Sequence, residues 1–149
     1  MTIVYQAEDT IEPWSDTDAE MLGNQQLYNV RSGCAVTYSG ANMNATIAAG
    51  SITHNGSTVA VAGGTVTLVS DGSNPRFTWI YADSSGTPGM AAGTAASDPS
   101  KPELGDNVAL ALVKVEAGQT IANNIAYKLD KRVMGPTSAT STIVRKAAD

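Results

Sequence analysis

Residues 33–132 alternate short segments rich in Val, Ile and Thr with clusters of turn-forming residues. The turn clusters recur about every ten residues, a spacing that is typical of antiparallel all-β domains. The sequence therefore predicts an all-β fold, an antiparallel β-sandwich of the jelly-roll kind with an arm at each end. The clusters are Ser39-Gly40-Ala41-Asn42, Ala49-Gly50, Asn55-Gly56, Gly63-Gly64, Asp71-Gly72-Ser73-Asn74-Pro75, Asp83-Ser84-Ser85-Gly86 and Glu116-Ala117-Gly118.

The chain divides into a central domain and two ends of different composition. At 149 residues it has the length of one domain. Residues 1–32 are acidic with little strand alternation, and they are predicted to form an N-terminal arm with a short helix over 15–26. Residues 33–133 are predicted to form the β-sandwich and to fold without either end, and residues 134–149 a C-terminal tail.

The β region contains one strong hairpin signal and one strong strand. Asn55-Gly56 predicts a type I′ turn, because both residues tolerate its positive φ angles. Arg76–Ala82 carries apolar residues on both faces, so it is predicted either to lie centrally in the sandwich or to have its second face covered by another subunit. Residues 94–105, with two prolines, are predicted to be an extended crossover. The predicted strands are 34–39, 43–48, 51–54, 57–62, 65–69, 76–82, 87–93, 107–116 and 127–133, with a short irregular or helical piece around 121–125.

The composition limits the kind of ligand that the domain can bind. Hydrophobic residues make up 42% of the chain, mostly Ala and Val, with one Phe, two Trp and five Tyr. Such small side chains suit a thin core between two sheets, and a large aromatic-lined pocket is not expected. The net charge of −5 argues against nucleic acid as a partner, because phosphate binding needs clustered Lys and Arg.

Charged residues are concentrated at the two ends of the chain. Residues 1–30 contain six carboxylates and no Lys or Arg, whereas residues 128–149 contain five bases against two acids. Two interpretations stay open: both ends are solvated, or they are complementary arms that contact neighbouring subunits. Asp130-Lys131-Arg132 is likewise either a solvated face or part of an ion pair within or between chains. The candidate interface residues are Glu8, Asp9, Glu12, Trp14, Asp16, Asp18, Glu20, Lys131, Arg132, Arg145 and Lys146.

The sequence lacks the residue clusters that catalysis or metal binding needs. Cys34 and His54 are the only Cys and His, which excludes an intrachain disulfide framework and most zinc sites. Cys34 begins an apolar strand and is predicted to be a buried structural thiol, whereas His54 precedes the hairpin turn and is predicted to be exposed. There is no P-loop, GxGxxG or GxSxG motif, so no enzyme, cofactor or metal site is expected. No signal peptide and no membrane-spanning run is expected either, because the N-terminus is acidic and the apolar runs are short.

A set of short motifs follows in order along residues 33–132. They include Gly33-Cys34-Ala35-Val36-Thr37, Ile47-Ala48-Ala49-Gly50, Asn74-Pro75-Arg76-Phe77, Asp83-Ser84-Ser85-Gly86-Thr87 and Asp130-Lys131-Arg132. In order and spacing this set resembles a β-domain found in structural proteins of tailed bacteriophages. That domain is often seen near the N-terminus of tail-fibre, baseplate and other minor virion proteins.

The resemblance implies a non-enzymatic virion protein that is made in the host cytoplasm. Longer members of the family carry a receptor-binding or fibre region after this domain, whereas only a short segment follows Arg132 here. This favours a capsid decoration, or cement, protein that bridges major capsid subunits on the virion surface. Decoration proteins bind at symmetry axes, so the resemblance also implies a homotrimer.

The sequence also leaves two other functions open. One is a tail or baseplate adaptor, or a fibre-attachment domain, within the same class of virion proteins. The other is a carbohydrate-binding β-sandwich module, which needs an exposed aromatic platform, and Trp14 or Trp79 would have to supply it. The number of copies per particle would separate a capsid location from a tail location.

Overall fold

The computed structural model describes residues 27–135. The helix predicted over 15–26 and most of the two predicted arms lie outside the described residues. The described part contains no helix with the length and apolarity of a membrane span. Its elements are β1 (Tyr28–Gly33), β2 (Val36–Tyr38), β3 (Asn44–Ile47), β4 (Gly50–His54), β5 (Ser57–Val61), β6 (Gly64–Thr67), β7 (Arg76–Ala82), β8 (Pro88–Ala92), β9 (Val108–Val115), a 3₁₀ helix (Ala122–Asn124) and β10 (Tyr127–Asp130).

The strands form three antiparallel sheets around one core. The largest sheet has the order β10-β9-β7-β8, and the two three-stranded sheets are β1-β4-β5 and β2-β3-β6. Buried apolar side chains from all three sheets meet in a single cluster, which includes Val30, Ile47, Ile52 and Ile80. The prediction of an all-β, sandwich-like domain is therefore confirmed.

Strand β7 confirms the central position predicted for Arg76–Ala82. It pairs with β9 on one side and with β8 on the other. Thr78, Ile80 and Ala82 on its inner face have no exposed surface, whereas Phe77 and Trp79 on its other face are half-buried. The alternation of side chains along the strand thus separates the core from a second, aromatic face.

The turn chemistry of the hairpin between β4 and β5 is also confirmed. Asn55 has a φ of +50° and Gly56 a φ of +83°, as a type I′ turn requires. Each of the other predicted strands overlaps an observed strand, and residues 94–105 contain none. Local periodicity and turn residues therefore predict most of the elements in the described part.

The first strand differs from the prediction, because the β region begins at Tyr28 and not at Cys34. Strand β1 lies inside the segment assigned to the acidic arm, yet it pairs along its length with β4. After β10 the chain returns to β1, where the Val30 amide donates to the Val133 carbonyl (2.8 Å) and the Gly135 amide to the Val30 carbonyl (2.7 Å). Polar side chains such as Asn29 hide this strand in the sequence, although Asn29 itself is 2% exposed.

Thr78 lies in the core, and its hydroxyl group makes no hydrogen bond. The hydroxyl of Thr78 is fully buried, and no hydrogen-bond partner lies within reach. Because a buried hydroxyl without a partner is destabilising, we expect Thr78→Val to raise the free energy of unfolding by about 1 kcal/mol. Chemical denaturation measures this, with Thr78→Ser as the matched control. The serine variant keeps the hydroxyl and loses the methyl, so its midpoint should fall; a lower midpoint for the valine variant would contradict the argument.

Candidate functional site

The four-stranded sheet has an aromatic outer face that no other sheet covers in the described part. Paired residues of antiparallel strands point to the same face. Leu112 of β9 pairs with Trp79 of β7 and with Leu129 of β10, which places these three side chains together. Phe77 and Tyr127 both pair with Lys114 and contact each other edge-on, with ring centroids 5.6 Å apart. We call Phe77, Trp79, Leu112, Tyr127 and Leu129 the outer sheet face.

Exposure on the outer sheet face increases toward β10. Leu112 is fully buried, and the half-buried Trp79 donates its indole N–H to the carbonyl of Pro102 at 2.9 Å. The 94–105 segment therefore covers the β7 side of the face. Tyr127 and Leu129 remain 36% and 38% exposed. This gradient leaves an apolar strip at the edge of the sheet.

The contact of Trp79 with Pro102 argues against a role of Trp79 as an exposed sugar-binding platform. Its indole ring is half-buried, and its one hydrogen-bond donor is already bound to Pro102. Trp14, the other candidate for that role, lies outside the described residues. The exposed aromatic ring that sequence reasoning missed is Tyr127, and its pairing opposite Lys114 becomes visible only in the folded sheet.

Strands β2 and β10 face each other across a cavity of about 240 Å³. Val36 and Tyr38 line one side, and Lys128 and Asp130 line the other. The ammonium group of Lys128 donates to the Asn123 carbonyl at 2.6 Å and lies 5.2 Å from the centre of the Tyr38 ring. Burial, with a smaller contribution from the negative charge of Asp130, raises the pKa of Tyr38 to about 12. The tyrosine is therefore neutral at physiological pH and acts here as a packing group.

Asp130 and Arg132 form an ion pair within the chain. The guanidinium binds both carboxylate oxygens, at 2.9 Å from Nε and 2.7 Å from Nη2. Its Nη1 atom donates to the carbonyl of Gly33 at 2.9 Å, next to two successive residues with positive φ, Gly33 and Cys34. Arg132 thus ties the end of β10 to the turn after β1, across 99 residues of sequence. Cys34 is fully buried as predicted, and burial raises the pKa of its thiol.

The ion pair predicts a specific response of stability to acid. The hydrogen bonds from Arg132 hold the pKa of Asp130 below its ordinary value of 3.8. Its contribution to stability is therefore complete above pH 3.8 and is lost as pH falls through the lower folded-state pKa. Asp130→Asn should lower stability at neutral pH and make the loss below pH 3.8 less steep.

Thermal unfolding over a pH series measures this, with Asp98→Asn at an exposed carboxylate of the 94–105 segment as the control. The control should follow the wild-type profile. A profile for Asp130→Asn parallel to wild type throughout would show that the pair does not contribute.

Of the predicted interface residues, Lys131 and Arg132 lie in the described part. Lys131 is exposed, whereas Arg132 is half-buried in the contact with Asp130 and Gly33. The charged residues at 130–132 therefore form, in part, an ion pair within the chain. This is one of the alternatives that the sequence left open. The other candidates lie outside the described residues; they are Glu8, Asp9, Glu12, Trp14, Asp16, Asp18, Glu20, Arg145 and Lys146.

His54 corrects another expectation, because it is 8% exposed rather than open to solvent. Its Nε2 atom donates to the backbone carbonyl of Asp106 at 2.6 Å, and the Tyr28 ring packs edge-on against it at 5.2 Å. The imidazole therefore ties the segment before β9 to β4. The pairing of Gly33 with Gly50 and of Tyr28 with His54 puts Cys34 and His54 at opposite ends of β4. The two do not form a nucleophile–base pair.

The arrangement in residues 27–135 is thus a partly exposed apolar face beside an edge strand. No group of three or more His, Cys, Asp or Glu side chains suited to a metal ion occurs among the described residues. The chemistry available at this face is apolar contact through Tyr127 and Leu129, with the ammonium group of Lys114 on the same face. Comparison of the chain with protein-family models, with curated proteins and with solved structures finds no match.

Proposed function

We propose that this chain is a non-enzymatic structural protein of a tailed-phage virion, and that it acts as a capsid decoration protein bridging major capsid subunits. The observation that carries the proposal is the strip of Tyr127 and Leu129, two exposed apolar side chains that lie side by side on one face of a sheet. The resemblance of residues 33–132 to phage structural β-domains supplies the class of partner. The alternative within that class is a tail or baseplate adaptor.

The charge distribution supports a domain that docks through its surface. Residues 27–135 contain seven Lys or Arg and seven Asp or Glu, so the excess negative charge lies in residues 1–26. A neutral domain approaches a protein surface without long-range repulsion. Tyrosine is enriched in protein interfaces, because its ring is apolar and its hydroxyl stays hydrogen-bonded. Tyr127 and Leu129 would therefore form the apolar centre of a contact rimmed by Lys114, which pairs with Tyr127, and by the exposed Lys131.

The location on the particle is tested by counting copies. Virions of the phage that encodes this chain are purified, and the protein is quantified against the major capsid protein and located by labelling in electron micrographs. A copy number comparable to that of the capsid protein is expected. A few copies at the tail would replace the decoration role by the adaptor role, and absence from particles would overturn both.

The surface is tested by a double variant. Tyr127→Ser with Leu129→Ser should abolish binding to particles that lack the protein, without unfolding the domain, because both side chains are already partly exposed. Val69→Ser, at another exposed apolar residue (47%), is the matched control and should bind like wild type. Equal binding of the double variant would exclude this strip as the contact.

A further inference from the structure

Most of the sheet edges in residues 27–135 are closed by other parts of the chain. Residues 133–135 pair with the outer edge of β1. The turn at Gly86 covers β5 so closely that an added Cβ would collide with the Ala60 carbonyl. Strands β6 and β8 contact each other, with Gly64 against the Pro88 ring. The edges that remain are β2 and β10, which flank the 240 Å³ cavity.

Hydrogen bonding shows which backbone groups of β10 point to the open edge. The Lys131 amide donates to the Leu110 carbonyl at 3.0 Å, and the register pairs Ala111 with Asp130. Hydrogen-bonded and non-hydrogen-bonded pairs alternate along an antiparallel ladder. Leu129 is therefore in a hydrogen-bonded pair with β9. The N–H and C=O groups of Lys128 and Asp130 consequently point away from β9, toward the open edge.

We propose that β10 pairs with β10 of a second copy of this chain, in an antiparallel, two-fold arrangement centred on Leu129, which makes a dimer in place of the homotrimer that the resemblance implies. In this register, the outward backbone groups of Lys128 bond to those of the partner's Asp130, and those of Asp130 to the partner's Lys128. The same register places the ammonium of each lysine opposite a carboxylate. The two-fold axis makes both contacts occur twice, so the sequence Lys-Leu-Asp is complementary to itself when antiparallel.

Charge complementarity sets this register apart from its neighbours. If the register shifted by one residue, the outward N–H and C=O groups of one copy would no longer face those of the other, because such groups occur at every second residue. A shift by two residues would separate Lys128 from the carboxylate of the partner's Asp130. Lysine on an edge strand ordinarily prevents pairing with other strands. Here it prevents pairing with strands that lack an acid at the matching position.

The same contact brings apolar side chains of the two copies side by side and leaves the outer sheet face open to other partners. Leu129 would lie directly opposite the partner's Leu129 in a non-hydrogen-bonded pair, where side chains approach most closely. Tyr127 would lie opposite the partner's Lys131, whose aliphatic stem packs on rings. The Lys128 ammonium has three donors, so the bond to Asn123 persists alongside the new ion pair. The two four-stranded sheets would join into one continuous sheet.

The charge pattern is tested by sedimentation of the full chain over a concentration series. Wild type should approach twice the monomer mass. Lys128→Glu and Asp130→Lys should each raise the dimer dissociation constant by roughly tenfold or more, because each puts like charges opposite twice. An equimolar mixture of the two variants should recover the dimer, because glutamate then faces lysine. A dimer insensitive to Lys128→Glu, a trimer or a monomer at all concentrations would overturn the proposal.

A cysteine cross-link tests the register independently of the charge variants. Leu129→Cys brings two sulfur atoms within disulfide distance in the proposed register, and oxidation should give a covalent dimer. Cys34 is buried, so it should not form a disulfide that could be mistaken for the Leu129→Cys cross-link. Val69→Cys, which is exposed and remote from β10 in sequence, should stay monomeric under the same oxidant. Failure of the Leu129→Cys variant to cross-link, in a protein with wild-type circular dichroism, would overturn the proposal.

Discussion

Replacement of Ile80 by alanine is expected to lower the free energy of unfolding by about 3 kcal/mol. Ile80 has no exposed surface and lies in the middle of β7, between Ala111 of β9 and Met90 of β8. Its side chain points into the cluster shared by all three sheets. Truncation removes buried methyl groups and leaves a cavity that paired strands on both sides prevent from collapsing.

Urea denaturation, followed by tryptophan fluorescence and circular dichroism, measures the change. Val69→Ala is the matched control, because it truncates an exposed apolar side chain and should change stability by less than about 0.5 kcal/mol. If the urea midpoint of Ile80→Ala were as close to that of wild type as the midpoint of the control is, β7 would not be the centre of the core.

A fragment of residues 27–135 is expected to fold, whereas a fragment of residues 33–133 is expected to remain largely unfolded. The shorter fragment lacks β1, including the fully buried Val30, and the Gly135 amide that bonds to it. Without β1, Ile52 of β4 loses its cross-strand neighbour, and one side of the core opens to solvent. The turn pattern of the sequence, by contrast, predicts that residues 33–133 fold alone. Comparing the two fragments therefore tests whether β1 is needed for folding.

Circular dichroism and cooperative thermal unfolding of the two fragments measure the difference, with the full chain as reference. The longer fragment should show a β spectrum and a single transition. Matching transitions for both fragments would mean that β1 contributes little to the domain. A coil spectrum for residues 27–135 would mean that residues outside that range are needed for folding.

The sequence by itself determined the elements whose signals are local. Asn55-Gly56 specified its hairpin, because a type I′ turn depends only on the φ preferences of two residues. Arg76–Ala82 specified a central strand, because side chains alternate between the two faces of a strand and both faces of this segment carry apolar residues. The lone Cys34 in an apolar segment specified a buried thiol. None of these depends on which distant segment lies alongside.

Tertiary structure decided the features that depend on a partner strand. A β-bulge between Ala109 and Ala111 puts Leu112 on the outer sheet face, although simple alternation groups it with Leu110. His54 is buried because Asp106 packs over a hairpin end that looks exposed in the sequence.

The candidate site depends on long-range pairing in the same way. Strand β1 forms because β4 and residues 133–135 supply hydrogen bonds on both of its sides. The edge of β10 is open because no described strand pairs with it, whereas distant segments of the chain close the edges of β1 and β5. Periodicity predicts that a segment is a strand, but the register and the neighbour of each strand determine which side chains and backbone groups remain available for binding.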